Sequence, residues 1–169
     1  NSNLLYHASV PLNEDGSFKH VRIGKKEYWG YKLLQKTDQL IRTAYFDEDG
    51  SKEKLFALDY VWYMWCGPNA PSFDKDKMAT FERYFVADKE LHKETKGYYY
   101  TLRNRADICD NILTEFGVEP GPHSHIINGH VPVKTIKGEK PIKADGKLLV
   151  IDGGFSKTYQ PENGISGYT

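Results

Sequence analysis

Cysteine is scarce in this 169-residue chain, and so is any excess of charge of one sign. The two cysteines, Cys66 and Cys109, lie far apart and outside any metal-ligand spacing. That excludes a disulfide framework or a zinc finger and fits a reducing, cytoplasmic setting. Lysine plus arginine balances aspartate plus glutamate, 23 against 23. Net charge therefore offers no argument for nucleic acid or an anionic membrane surface as a partner. No apolar run approaches the ~18 residues a membrane span needs. There is no signal-like segment, no repeat and no low-complexity tract. The chain opens on Asn1 with a strand-like run at once, and stops at Thr169 just after a Gly-rich turn. Both ends read as cut, and the expectation is an internal fragment of a longer protein.

What is present is aromatic density, with 12 tyrosines, and an order of elements that switches from strand to helix and back. Leu4-Leu5-Tyr6 is a short apolar run closing on His7, and Phe18 to Ile23 alternates weakly as a second strand. Tyr28 to Tyr45 carries apolar residues at helical spacing, as does Leu55 to Trp65, which Cys66-Gly67-Pro68 stops. Met78 to Phe85 fits either a short helix or a strand. Tyr98 to Phe116 reads as one helix with Gly117 as its C-terminal cap. Ser124 to Asn128 and Lys147 to Asp152 read as buried strands, with Val131 to Val133 extended between them. The fold class expected is α/β (α+β). Residues 1–27 and 117–169 form its strand-rich part, and 28–116 a mostly helical insert, either a cap or an oligomer contact.

The chemistry concentrates in Gly121-Pro-His-Ser-His-Ile-Ile-Asn-Gly-His130-Val-Pro-Val-Lys134, which holds three of the six histidines. Ile126-Ile127 forms the apolar centre of a strand, Asn128-Gly129 breaks it, and His130 follows. His7 has the same context at the end of its own apolar run. Open α/β sheets bind ligands beyond the carboxyl ends of their strands. Two neutral imidazoles delivered there could meet at one metal ion, although a histidine of this kind taken alone is more often a hydrogen-bonded structural residue. His123 and His125 alternate along the strand; His125, beside the Ile pair, is the one expected to support the ligands, with Asn128 and Asp152. Arg83, set between aromatics, suits a bidentate grip on phosphate or a pairing with Glu82 or Asp88. Lys134 and Lys157 suit point-charge phosphate contacts. Arg103 and Arg105 are expected on an exposed helix face.

Several of these strings, taken together, resemble a known family. Ser124-His-Ile-Ile-Asn-Gly-His-Val-Pro-Val-Lys134 looks like the last metal-ligand motif of the bacterial class III fructose-1,6-bisphosphatases. Leu148-Leu-Val-Ile-Asp-Gly-Gly-Phe-Ser-Lys157, Gly164-Ile-Ser-Gly-Tyr168 and Leu4-Leu-Tyr-His-Ala-Ser-Val-Pro-Leu-Asn-Glu-Asp-Gly16 are similar too. So are Trp62-Tyr-Met-Trp-Cys-Gly67 and Met78-Ala-Thr-Phe-Glu-Arg-Tyr-Phe85. The resemblance implies part of a calcineurin-like metallophosphoesterase sandwich with a dinuclear site at strand ends. It implies His7 and His130 as the two late metal ligands, Mn2+ as the cofactor, and a small sugar phosphate as substrate. From charge and position, and not from the resemblance, Arg83, Lys134, Lys157 and Tyr159 are expected to contact the phosphates or the sugar. The superfamily's Asp-x-His, Gly-Asp-x-x-Asp-Arg-Gly and Gly-Asn-His strings do not occur in this chain, so it carries about half of the ligand set. The competing readings are another metallophosphoesterase, acting on phosphoproteins or nucleotides, and a non-catalytic interaction module with structural histidines.

Overall fold

The computed structural model describes residues 3–153, 157–158 and 160–164. In chain order the elements are β1 (Asn3–Tyr6), β2 (Val21–Ile23), β3 (Lys26–Tyr28), α1 (Gly30–Phe46), α2 (Lys52–Cys66), α3 (Thr80–Phe85), α4 (Tyr99–Leu102), α5 (Ala106–Glu115), β4 (His125–Asn128), β5 (Ile142–Lys143), β6 (Leu148–Val150) and α6 (Gln160–Asn163), with short 3-10 turns between some of them. The chain divides into two compact units, one of Asn1–Ala8 with Tyr100–Thr169, the other Ser9–Tyr99. The boundaries read from the sequence are at 27/28 and 116/117. Helix α5 groups with the sheet, and the β2–β3 hairpin with the long helices.

The sheet unit carries a four-stranded sheet in the order β1-β4-β6-β5. Strand β4 pairs in parallel with β1 on one side and β6 on the other, and β5 runs antiparallel to β6. Leu4, Ile126 and Leu148 stand in one register row, and Tyr6, Asn128 and Val150 in another. Because side chains alternate along a strand, Ile126 and Asn128 share the buried face of β4. Ile127, expected in the core with Ile126, points to the other face and is half-buried. Helix α5 buries Ile108, Cys109, Ile112 and Leu113. It ends as its sequence promised: Val118 N–H donates to Leu113 C=O and Gly117 N–H to Thr114 C=O, with Gly117 left-handed at φ 73°.

The other unit is built on α1 and α2. Their inner faces supply Leu33, Leu40, Ala57, Tyr60 and Met64 to a core completed by Val21, Ile23, Ala70 and Phe73. The Thr37 hydroxyl and the Tyr60 phenol share a hydrogen bond of 2.8 Å inside it. Ser51 caps α2 by accepting from Lys54 N–H. The outer faces are strongly apolar as well, with Trp62 61% and Trp65 59% exposed. No helix among the described residues is long and apolar enough to cross a membrane.

The α/β class is the one observed. Among the described residues the sheets are the four-stranded one and the β2–β3 hairpin. One expected element needs correction. The stretch from Tyr98 to Phe116 is not one helix: it breaks between Leu102 and Ala106, and within the break Arg103 is buried against a partner that apolar spacing cannot reveal. In the stretch from Val131 to Val133, Val133 N–H is held by Asp152 C=O.

Candidate metal-binding site

Three parallel strands, β1, β4 and β6, end at the same edge of the sheet. His7 follows the last residue of β1, Gly129 and His130 follow β4, and Asp152 lies two residues beyond β6. The pairing of Tyr6 with Asn128 is extended one step by a hydrogen bond from Gly129 N–H to His7 C=O, 3.0 Å. The chain then reverses sharply. Val131 N–H donates back to Gly129 C=O at 2.8 Å, with His130 between them at φ 67°. That is a γ-turn of the rarer hand, whose central residue is strained. A side chain at such a φ costs roughly 1–3 kcal/mol and persists where the surroundings impose it, often at functional sites. The sequence reading gave the turn to Gly129, yet Gly129 does not carry the left-handed φ; the histidine does.

The turn brings His130 against His7. His7 Nε2 and His130 Nδ1 stand 3.1 Å apart, and the rings meet edge to face at 76° with centroids 4.9 Å apart. As neutral groups they share one N–H between two nitrogens. With the proton moved to the far nitrogen of each ring, both lone pairs point into the same space. Two nitrogens about 2.1 Å from one ion, at about 90–110° to each other, lie roughly 3.0–3.4 Å apart. The spacing therefore fits two imidazole ligands on one divalent cation. Among the described residues no group of three or more His, Cys, Asp or Glu side chains is placed to hold a metal. Two imidazoles alone would make up only part of a coordination sphere.

The remaining candidates separate. Asn128 is buried directly beneath the pair: its Nδ2 faces the carbonyls of Tyr6, His7 and Ala8 at 3.3, 3.2 and 2.7 Å. Its Oδ1 accepts from Arg103 Nη1 at 2.9 Å. His125 begins β4 whereas the pair lies past its end, with His7 level with Gly129, about 13 Å away at ~3.3 Å per residue. There its Nδ1 bonds Gly146 C=O at 2.9 Å, so it does not reach the ligands it was expected to support. His123 lies outside the strand, in the loop before it. Lys134 and Lys157 are exposed. Lys134 offers its backbone N–H to Glu139 at 3.0 Å, and that contact, ahead of burial's opposing effect and with Lys143, Lys134 and Arg103 nearby, holds the Glu139 carboxyl below its usual range. Tyr159 lies outside the described residues.

Arg83 belongs to the helical unit and is occupied there. Its Nη2 lies 3.4 Å from Glu94 Oε2 and donates to His92 C=O at 3.3 Å. Glu94 also takes Lys75 Nζ at 2.7 Å and Ala79 N–H at 2.9 Å. Burial opposes ionisation of Glu94, but these partners outweigh it and its carboxyl stays below the usual range. The buried arginine of this protein is instead Arg103, 7% exposed, which the sequence reading set on a helix surface. The one available signal was Asn128, a polar residue on the buried face of a strand that needs a donor for its oxygen. Cys109 is buried in the core: burial first, then Asp110 and Asp107, push its thiol up to about 12.

A parallel sheet that presents convergent imidazoles at its strand ends is the frame of a histidine-lined site in an α/β protein. The whole chain, residues 1–169, matches the family described as Firmicute fructose-1,6-bisphosphatase, and it belongs to that family. It is 80% identical over 169 residues to the fructose-1,6-bisphosphatase class 3 of Bacteroides fragilis, 65% to that of Phocaeicola vulgatus and 59% to that of Clostridium novyi. All of this chain is covered in each comparison, but only 25% of each relative, so the chain spans about a quarter of their length. No solved structure matches it.

Proposed function

We propose that this chain is the part of a fructose-1,6-bisphosphatase that contributes the late histidine pair to a metal site. The reaction is removal of the 1-phosphate of fructose 1,6-bisphosphate to give fructose 6-phosphate. The observation that carries the reading is the 3.1 Å approach of His7 Nε2 to His130 Nδ1 at the ends of parallel strands. A pair of divalent ions, with Mn2+ the one proposed, would lower the pKa of a bound water and polarise the phosphoryl oxygens. The chain's own part is to hold two neutral imidazoles in ligand geometry, His7 from β1 and His130 from its strained turn. Lys134 and Lys157 are exposed cations on either side of Asp152 in sequence and are proposed, with Tyr159, to contact phosphate or sugar. Arg83 is left out of that set because Glu94 already holds it. Cytoplasmic residence belongs to the same proposal and accords with two free cysteines.

Calorimetric titration of the 169-residue chain with Mn2+ should show weak binding that His130→Ala abolishes, and the chain should hydrolyse no fructose 1,6-bisphosphate. Tight binding of two ions would show that the pair is not half of a site. In a full-length family member, alanine at the position of His130 should lower kcat by several orders of magnitude. Unchanged turnover there would sink the ligand role.

A further inference from the structure

We propose that Arg103 is a positioning residue for His7, acting through the side chain of Asn128. As regards the metal, this rests on the reading just given; as regards the geometry of the two rings, it stands without it. His130 is aimed by its own γ-turn. His7 has no such device, since it follows a four-residue strand whose Leu5 is largely exposed. Its backbone is held by Gly129 N–H at its carbonyl and by the Asn128 amide, 1% exposed, which faces three successive carbonyls from Tyr6 to Ala8. An amide has two N–H donors on one side and an acceptor oxygen on the other, and the two sides have nearly the same shape. Flipped by half a turn, Asn128 would set its oxygen against the carbonyls and its N–H groups against the guanidinium. Arg103 Nη1, donating at 2.9 Å to Oδ1, makes only one orientation favourable. A charged donor also polarises the amide and strengthens the bonds its N–H groups make.

The break between α4 and α5 is what lets this happen. Arg103 sits in that break and is buried beside Asn128, while its guanidinium lies over the Tyr100 ring, 5.4 Å from the centroid. The hydrogen bond joins the helical side of the sheet unit to the strand end that carries a proposed ligand. Residues 103 and 128 are thereby coupled to the direction in which the chain leaves β1 at His7.

The test uses the metal-free 169-residue chain and the nitrogen shifts of its histidine rings. In the wild type, His7 Nε2 and His130 Nδ1 should show a shared hydrogen bond, and His125 Nδ1 should report its bond to Gly146 C=O. His125 serves as the internal control, because it shares β4 with Asn128 but not the network. Arg103→Met should abolish the His7–His130 signature and leave that of His125 in place. Arg103→Lys, which can still donate to Oδ1, should retain it. Asn128→Asp, which keeps a partner for Arg103 but turns a carboxylate on the carbonyls, should abolish it. Mn2+ binding by the Met variant should weaken about tenfold or more. Retention of the pair's signature in Arg103→Met overturns the proposal. So does a Lys variant as defective as Met, or loss of the His125 signal together with the pair's in all three variants, which would make Arg103 a residue of the fold alone. If Mn2+ leaves the wild-type signals of His7 and His130 untouched, the metal reading fails, and the positioning role is still decided by the ring signals.

Discussion

Both units bury polar side chains, and Asn128 in one is treated differently from Asp74 in the other. In the sheet unit Asn128 engages its oxygen with Arg103 and its nitrogen with the carbonyls of residues 6 to 8. In the helical unit Asp74 is 2% exposed, and its Oδ2 accepts no hydrogen bond among the described residues. Burial raises the Asp74 pKa, with Ser9 and Lys19 pulling the other way. The apolar surface differs too. Helix α5 turns its apolar side to the core, whereas α2 leaves Leu55, Leu58, Trp62 and Trp65 exposed. The sheet unit thus has a polar network at the edge where chemistry is proposed, in which the Asn128 amide is engaged on both sides. The helical unit relies on packing of α1 against α2 and tolerates an incompletely bonded carboxyl. A ligand pair must be held to fractions of an ångström, and directional bonds do that better than apolar contact.

The largest effect expected from this contrast is at Asn128. Asn128→Leu removes the acceptor from a buried guanidinium and the donors from three carbonyls, and should cost about 3–5 kcal/mol in chemical denaturation. A loss under about 1 kcal/mol would mean the network is no more important than an exposed polar contact, and the contrast would dissolve.

The second prediction separates strain from function within the sheet unit. His130→Gly should be more stable than His130→Ala by about 1 kcal/mol, because only glycine adopts a positive φ freely. Both variants should lose the ring pairing. Gly129→Ala should be nearly neutral, since a Cβ there meets His7 O at 3.6 Å and Asp152 Cβ at 3.8 Å, ordinary contact distances. Equal stabilities for the Gly and Ala variants at residue 130 would remove the argument that the turn stores strain.

The smallest effect concerns the helical unit and depends on pH. A carboxyl whose folded pKa is raised binds its proton more tightly in the native state. Its contribution is complete below the unfolded pKa and declines as pH rises through the folded value. Asp74→Asn does not titrate, so its stability relative to the wild type should improve from about pH 4 to pH 7. A flat or falling difference between the two denaturation series would show that Asp74 has partners that stabilise its charge.

Local patterns carried much of the fold. Apolar spacing marked α1, α2 and α5, and Gly117 marked the end of α5. The Leu4–Tyr6 and Ile126–Asn128 runs marked the strands that bring His7 and His130 to one edge. The candidate pair was legible because each histidine follows a short apolar run, and parallel neighbours end side by side. Arg83 and His125 were misleading for a common reason: sequence neighbours show what a side chain is near along the chain, not which partner in space has claimed it. Glu94 claims Arg83, and Gly146 claims His125.

The amino-acid sequence by itself determined where helices and strands form, because hydrophobic periodicity and turn residues act over a few positions. It also determined that two histidines would stand at strand ends. Only the tertiary structure decided that His130 takes the strained φ, that Arg103 leaves the helix for Asn128, and that the imidazoles meet at 3.1 Å. These depend on partners over 20 and over 120 positions apart, brought together by burial and hydrogen-bond satisfaction, to which local pattern is blind.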